Sequence, residues 1–210
     1  MVQSGHRFSL PFVIRESLKI AAAISVLLVS ALYISNNVGK PAPVLEMNKI
    51  VVPPGQRANL TLSDGTNVWL NACSEMTYPA SFSEDIRRVS LKGEAYFDVA
   101  PDKAHPFIVQ TPHTSIRVTG TSFNVRAYAD EEVESTTLIS GAIEISSENE
   151  DYELIPNQHF VYDKNSREST VSNVNTELYT SWESGSFIFM NVPLENVMSY
   201  LSKWYGFTYT

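Results

Sequence analysis

The sequence predicts an all-β main domain, either a sandwich or a short solenoid of antiparallel strands, and two observations favour it. Apolar and polar residues alternate over many short segments, as they do on either side of Asp64-Gly65. Glycine, proline, asparagine or aspartate stands near most breaks between these segments, where a reversing chain needs turn residues. Short strands at such spacing are typical of sandwiches, barrels and solenoids.

An apolar helix is predicted ahead of this domain. Residues 20–34 contain only Ser25, Ser30 and Tyr33 as polar interruptions, and as a helix they would measure about 22 Å. Their flanks extend this to about 28 Å, near the roughly 30 Å hydrocarbon core of a bilayer. We therefore predict a transmembrane helix over residues 18–36, after a short cytoplasmic tail at 1–17. Its membrane-spanning residues include Ile20, Leu27, Leu28 and Ile34.

The charges around this segment predict its orientation. Three basic residues precede it and only Lys40 follows it closely, so we expect the amino terminus in the cytoplasm and the main domain in the periplasm. The localisation predicted is therefore the inner membrane, with a single pass. A cleaved signal peptide is the competing interpretation, because residues 29–31 fit a signal peptidase site. Both interpretations export residues 41–210.

Composition sets the remaining boundaries. Two prolines, Pro41 and Pro43, predict an extended spacer over residues 37–47, and the main β domain is predicted over 48–163. A stretch rich in serine, threonine and asparagine predicts a linker at 164–178. Residues 179–210 are predicted to carry an incomplete β-α-β unit.

Turn residues divide the main domain into hairpins and short strands. The first strand ends at Pro53-Pro54-Gly55, and Asp64-Gly65 forms the turn of a tight hairpin. A second hairpin is predicted with Lys92-Gly93-Glu94 as its turn. Further strands are predicted at 107–109, 116–118, 123–127, 137–139, 143–145 and 160–162.

The incomplete unit at the carboxyl end has a strand at 187–189, a helix and a strand at 207–210. Pro193 lies in the first turn of the helix and Gly206 ends it. The helix has an apolar face formed by Leu194, Val197, Met198, Leu201 and Tyr205. Covering that face needs more sheet than the unit supplies, so we expect this end to be poorly ordered or to borrow strands from a partner.

Charge excludes one class of function. The chain has 15 basic and 23 acidic residues, of which 4 and 1 lie in residues 1–40, leaving 11 and 22 in residues 41–210. An acidic body without a basic stripe argues against nucleic-acid binding. The acidic clusters at 130–134 and 144–153 are predicted to be solvated loops, with calcium binding as a minor alternative.

The sequence gives little support for catalysis. The four histidines are scattered, and the zinc-protease, nucleophile-elbow and phosphate-loop motifs are missing. The protein is therefore predicted not to be an enzyme, with no catalytic, cofactor-binding or metal-binding residues. The single cysteine, Cys73, follows a hydrophobic strand and is predicted to be a small buried thiol that forms no intrachain disulfide.

Residues 52–145 and the carboxyl-terminal tail contain sequence motifs that are more specific than alternation of apolar and polar residues. The segments are Pro54-Gly55, 62–66 (LSDGT), 68–72 (VWLNA), Tyr78-Pro79 with Phe82, 88–99 (RVSLKGEAYFDV), 106–109 (PFIV), 118–128 (VTGTSFNVRAY), 138–141 (LISG) and, in the tail, 182–185 (WESG), 187–189 (FIF), Asn191, Pro193-Leu194 and Val197. These motifs resemble those of the FecR-like transmembrane anti-sigma regulators, particularly the Bacteroidetes type. The tail looks like the entry to the small secretin/TonB-type domain of that family.

The resemblance implies partners and a role. It implies an outer part that receives a signal from an outer-membrane TonB-dependent transporter, and a cytoplasmic part that controls an extracytoplasmic-function sigma factor. The chain departs from the family pattern at both ends. Only about 17 residues precede the predicted span, too few for a core, and the small domain stops unfinished. The chain alone is therefore not expected to bind a sigma factor tightly.

A partner that grips the outer domain could add a strand at an exposed edge near the carboxyl end. The predicted partner-binding residues are Phe187, Ile188, Phe189, Phe207 and Tyr209. The alternative function is a secreted or anchored β-sandwich that binds glycans or mediates adhesion. In that case the stacking faces would come from Trp69, Tyr78, Tyr96 and Tyr128.

Overall fold

The computed structural model describes residues 12–37, 46–82, 85–148 and 150–208. They fall into two units, the first within Met1–Val44 and the second within Leu45–Thr210. The described part of the first unit is one helix, α1 (Phe12–Asn37). Its large apolar side chains are exposed, and Ile20, Leu27, Leu28 and Ile34 are each more than half exposed.

The helix predicted near the amino end is present and begins six residues earlier than predicted. Among the residues that the structure describes, no helix has the combined length and apolar character needed to cross a membrane. The transmembrane helix predicted over residues 18–36 is therefore not confirmed.

The second unit is built from strands, which confirms the all-β prediction. Its described residues form 13 strands, β1 (Met47–Val52), β2 (Ala58–Thr61), β3 (Asn67–Leu70), β4 (Ser74–Pro79), β5 (Arg87–Asp98), β6 (Phe107–Gln110), β7 (Ser115–Val118), β8 (Ser122–Ala127), β9 (Val133–Ser140), β10 (Ile143–Ser146), β11 (Asp151–Leu154), β12 (Gln158–Asp163) and β13 (Ser169–Asn173). Two helices follow, α2 (Glu177–Thr180) and α3 (Leu194–Tyr205).

The strands form a curled sheet with two halves that share β5. Sheet A has the order β1-β4-β5-β6-β7-β10-β11, and sheet B has the order β2-β3-β5-β8-β9-β12-β13. The two halves enclose one core, in which Phe97 of sheet B contacts Phe107 of sheet A with ring centroids 6.1 Å apart. This single core spans both sheets, so residues 46–163 fold as one body.

The predicted hairpin turn at Asp64-Gly65 is confirmed. Gly65 has φ +87°, and the amide of Leu62 donates to the carbonyl of Thr66 at 2.8 Å. The turn also serves the core, because the Asp64 carboxylate accepts from the buried Arg87 guanidinium at 2.7 Å. The turn residues chosen by the sequence therefore fix both the hairpin and a long-range ion pair.

The second predicted hairpin is wrong. Lys92-Gly93-Glu94 is not a turn but lies inside β5, which runs unbroken for 12 residues. Gly93 has φ +102°, and a Cβ atom there would lie 2.7 Å from Cα of Ser74. The strand can bend there because glycine tolerates positive φ and the neighbouring backbone comes close. At that bend β5 passes from sheet A to sheet B.

The prediction of antiparallel strands is correct except at one pair, because β5 and β6 are parallel. The connection at 99–106 carries the chain back to the beginning of β5, where Arg87 pairs with Phe107. The Arg87 guanidinium donates to the carbonyl of His105 at 2.8 Å and to that of Ala100 at 2.9 Å. This buried side chain thus holds the crossover in place.

The carboxyl end differs most from its prediction. Strand β13 forms within the segment predicted to be a linker and pairs with β12. Residues 187–189 do not form a strand, whereas α3 ends at Gly206 in a left-handed cap, as predicted. Residues 207–208 are not in a strand, and residues 209–210 lie outside the described residues, so no β-α-β unit is seen. We call residues 177–208 the C-terminal arm.

Candidate partner-binding site

The C-terminal arm packs on the outer face of sheet B. Trp182 is only 2% exposed, and its indole Nε1 donates to Oδ1 of Asn124 on β8 at 3.1 Å. Tyr179 stacks on His159 of β12 with ring centroids 4.1 Å apart. The expectation of a poorly ordered end is therefore wrong, because the arm docks on the chain's own sheet, and the borrowing of strands from a partner stays a prediction.

The far end of the arm is fixed by Lys203 in α3. Its Nζ lies 2.9 Å from Oε1 of Glu131 and 3.0 Å from Oδ2 of Asp130. The carbonyl of Lys203 also accepts from the amide of Gly55 at 2.9 Å. Burial acts to raise the pKa of Asp130, but the hydrogen bond and charge of Lys203 outweigh it and lower that pKa. One lysine thus joins α3 to two loops of the β domain.

A buried ion pair lies beneath the arm. Glu94 on β5 is 2% exposed, and its Oε2 accepts from Arg126 at 2.9 Å and from Asn71 at 2.8 Å. Its other oxygen accepts from Asn124 at 3.1 Å. Arg126 also donates twice to Glu131, at 2.6 and 2.8 Å. Each polar group is satisfied, as a buried network requires.

Burial and pairing shift the pKa values of this pair in defined directions. Burial raises the pKa of the Glu94 carboxyl, and the Arg126 charge and two amide donors lower it less than burial raises it. Burial acts to lower the pKa of Arg126, but Glu94 and Glu131 outweigh it and raise that pKa. Arg126 therefore remains charged at all physiological pH values and keeps Glu94 paired.

Cationic side chains also meet aromatic rings at this surface. The Arg126 guanidinium lies 4.8 Å from the ring centroid of Tyr200, and Arg57 lies 4.4 Å from that of Trp204. Arg57 further donates to the carbonyl of Trp182 at 3.1 Å. Such cation–π contacts add modest attraction at partly exposed sites, so they position the arm without burying α3.

The acidic cluster at 130–134 is not simply a solvated loop, so that prediction is wrong. Asp130 and Glu131 hold the arm through Lys203, as described above. Glu134 lies in β9 and is 2% exposed, where its Oε2 accepts from the Thr111 hydroxyl at 2.6 Å.

The prediction that Cys73 is a buried thiol is wrong. Cys73 is exposed and lies in a turn with φ +58°.

The structure describes four of the five predicted partner-binding residues, and these four differ in their surroundings. Phe187 belongs to a small aromatic cluster of the arm, with ring centroids 4.4 Å from Trp204 and 6.3 Å from Phe189. Ile188 is 40% exposed, and Phe207 is exposed beyond the end of α3. Tyr209 lies outside the described residues. The arm thus brings Phe187, Ile188 and Phe189 together, without the strand that was predicted there.

A groove of about 330 Å³ runs between the arm and sheet B. Its walls are mostly apolar and aromatic, and its floor is polar, with Ser135, His159 and the Glu94–Arg126 pair. The exposed apolar residues of its outer wall are Ile188, Phe189, Met190 and Val192. Concave apolar surfaces with few polar groups are where binding sites usually lie, so this groove and its outer wall form the candidate site.

His159 in this groove is held neutral. Burial lowers its pKa to about 4, and Nδ1 lies 2.8 Å from the Thr137 hydroxyl. An unfolded histidine takes up its proton near pH 6.5, so the folded state loses stability as the pH falls from about 6.5 to 4. We expect acidification from pH 7 to 4.5 to cost the wild type about 2 kcal/mol more than His159→Phe.

Urea unfolding at the two pH values measures this cost. His113→Phe is the matched control, because His113 also stacks on a tyrosine, Tyr162, at 5.5 Å. Equal acid sensitivity in the wild type and His159→Phe would show that His159 is not buried beneath the arm.

The residues that hold the arm were not predicted from the sequence. Glu94 and Arg126 are charged residues at alternating positions of their strands, a pattern that ordinarily indicates a solvent-exposed face, so it gave no signal of their burial. Lys203 and Asn124 carry no signal of their contacts either. Trp182 was noted, but its burial depends on a surface more than fifty residues away.

The four aromatic residues proposed for glycan stacking do not form one surface. Tyr128 is buried, and its hydroxyl donates to the carbonyl of Ala72 at 2.8 Å. Tyr78 packs against the core. Trp69 and Tyr96 are half-buried and meet edge to face at 5.5 Å.

Within the described part of the chain, no group of three or more histidine, cysteine or acidic side chains could hold a metal ion.

Comparison with known proteins identifies the class. The sequence model of the FecR protein family matches residues 48–144. Two crystal structures of a candidate anti-sigma factor from Parabacteroides distasonis ATCC 8503 match with a TM-score of 0.73 and 34% sequence identity, over 76% of this chain and 75% of that one. No curated protein matches the chain.

The chain belongs to the FecR family. The resemblance found in the sequence is therefore confirmed, and so is the prediction that this is a regulatory protein and not an enzyme.

Proposed function

We propose that this chain is the sensing part of a FecR-type anti-sigma regulator. The observation that carries the proposal is the joint likeness of sequence and fold to the Parabacteroides candidate anti-sigma factor, over about three quarters of both chains. In the proposal, the signalling domain of an outer-membrane TonB-dependent transporter binds the β domain and its arm. The signal then passes to an extracytoplasmic-function sigma factor.

The proposal includes a location. Residues 1–17 lie in the cytoplasm, residues 18–36 in the inner membrane and the β domain in the periplasm. The exposed apolar side chains of α1 support this, because such a surface is unfavourable in water. Carbonate washing of membranes from the native host tests it: retention of the chain in the pellet is expected, and release into the wash would contradict the location.

The outer wall of the groove is the surface that we assign to the transporter domain. Ile188 is 40% exposed, Phe189 37% and Met190 64%, and Leu194 at the start of α3 is 74% exposed. Contiguous apolar exposure of this kind marks interaction sites on soluble domains. Binding energy at such surfaces comes mainly from a few central apolar anchors.

We expect Ile188→Asp to weaken binding of the transporter signalling domain by about 2 kcal/mol or more, because it puts a charge in the apolar centre of the contact. Calorimetric titration of the full chain with that domain measures the change. Ile155→Asp is the matched control, since Ile155 is 64% exposed in the turn between β11 and β12. If both substitutions weaken binding equally, or if neither weakens it, the arm is not part of the contact with the transporter domain.

A further inference from the structure

The arm is attached by few buried groups. Among its described residues, Trp182 alone is fully buried, and α3 contains no buried residue. Between the described residues of α3 and the β domain there is a single backbone hydrogen bond, from Gly55 to Lys203. A 12-residue helix is marginal in water without tertiary packing. The docking of α3 therefore depends mainly on side-chain contacts at its end.

Those contacts form a line of alternating charges. Glu94 pairs with Arg126, Arg126 with Glu131, and Glu131 with Lys203, at 2.9, 2.6 and 2.9 Å. Asp130 completes the line at 3.0 Å from Lys203. Lys203 is the only member contributed by the arm, and its side chain is 13% exposed. Without it, three carboxylates share one guanidinium.

We propose that the C-terminal arm is a strap that opens reversibly, and that Lys203 is the latch that keeps it closed. The inference rests on the proposed function in one respect, namely that the partner binds the arm. Opening removes the cation that pairs with both Asp130 and Glu131, which leaves Asp130 without this ion pair and Glu131 paired only with Arg126. The closed state is thus favoured by these ion pairs, the buried Trp182 indole, the Tyr179–His159 stack and the cation–π contacts of Tyr200 and Trp204, and not by a large apolar interface.

Opening changes what the partner can reach. In the closed state Trp182 and the inner sides of Tyr200 and Trp204 face the β domain, and only the outer wall of the groove is free. In the open state these rings join Ile188 and Phe189 as apolar surface. A partner that binds apolar surface therefore has a higher affinity for the open arm and shifts the equilibrium towards it.

Hydrogen exchange of the full chain, measured by mass spectrometry without any partner, tests the latch. We expect Lys203→Met to accelerate amide exchange in residues 194–206 about tenfold, as the loss of two partly buried ion pairs predicts. Lys203→Arg keeps the charge and should retain the protection. Added salt should accelerate exchange of the wild-type arm and have less effect on Lys203→Met.

Lys49→Met is the matched control, because Lys49 pairs with Glu75 at 2.9 Å on sheet A. It should leave exchange in α3 unchanged. The latch is refuted if α3 exchanges equally fast in the wild type and Lys203→Met, if Lys49→Met has the same effect, or if α3 opens only when β5 and β8 unfold. No partner is present, so a failure here is distinct from a failure of the proposed function.

A second measurement links the latch to the partner. If the open arm is the better ligand, Lys203→Met should bind the transporter signalling domain more tightly than the wild type, by up to the factor by which it opens the arm. Unchanged or weaker binding by a variant whose arm opens faster would refute the link between opening and affinity. It would not refute the reversible opening of the arm.

Discussion

Replacing Gly93 with alanine is expected to lower the free energy of unfolding by more than about 3 kcal/mol, a large part of the roughly 5 to 15 kcal/mol that typically stabilises a folded domain. Two effects add. Gly93 has φ +102°, which a residue with a Cβ atom rarely adopts. That Cβ would lie 2.7 Å from Cα of Ser74, a backbone atom that cannot move without shifting β4. The position thus combines strain with overlap, and both act where β5 passes between the sheets.

Gly65→Ala separates these two effects. Gly65 also has positive φ, at +87°, but a Cβ atom there would meet nothing closer than Cβ of Ala100 at 4.0 Å. Only the conformational cost of about 1 kcal/mol is expected. Urea unfolding of both variants measures the difference. A loss of stability as small for Gly93→Ala as for Gly65→Ala would mean that β5 does not approach Ser74 as described.

Replacing Arg126 with methionine is expected to destabilise the β domain by about 3 to 5 kcal/mol at neutral pH, because it leaves Glu94 buried without a cation. Methionine preserves much of the volume, so the loss reports the charge and not a cavity. The exposed pair Arg117–Glu144, at 3.4 Å, provides the matched control. We expect Arg117→Met to cost less than about 1 kcal/mol, and a similar cost for both variants would contradict the burial of Glu94.

The pH dependence of Arg126→Met follows from the Glu94 pKa, which burial raises above its ordinary value of 4.5. A carboxyl whose folded pKa is raised contributes stability at pH values below 4.5 and loses it as the pH rises through the folded pKa. The deficit of Arg126→Met should therefore shrink in acid and grow towards neutral pH. Urea unfolding across this range measures it, with the double variant Glu94→Gln and Arg126→Met as a control in which that pH dependence is lost.

Local chemistry predicted the parts of the fold that depend on neighbouring residues. The Asp64-Gly65 turn and the Gly206 cap were predicted correctly, because each is determined by the φ of one glycine. Gly93 was misread for the same reason, since a positive φ serves a turn and a bend within a strand equally well. Only the approach of Ser74, nineteen residues earlier, distinguishes the two.

The candidate site was harder to predict, because its parts lie far apart in the sequence. Phe187, Ile188 and Phe189 were predicted as part of an exposed strand edge at which a partner strand could add, and the structure shows no strand there. The surface beneath them combines Glu94, Arg126 and Asn124 from different strands, and no local pattern pairs these residues with Trp182 or Lys203. Burial of the arm is a long-range property, and for that reason the acidic cluster at 130–134 was taken for a solvated loop.

The groove, His159 and the Glu94–Arg126 pair fit a regulatory protein of the FecR family. For a regulator, a groove with a neutral histidine and a buried ion pair is a place to hold an arm and a partner, not to carry out a reaction. The outer wall of the groove, the strap and the latch residue Lys203 then form one unit. If the proposed partner binds this unit, its affinity and the position of the arm are thermodynamically linked.

We propose that this chain controls transcription through its C-terminal arm. Transcript sequencing of the native host with the gene deleted, and then restored as wild type or as Ile188→Asp, tests this most directly. We predict a defined set of genes whose expression changes on deletion and returns with the wild type but not with Ile188→Asp. Transcript levels that are the same with and without the gene, under conditions in which the chain is expressed, would contradict the account.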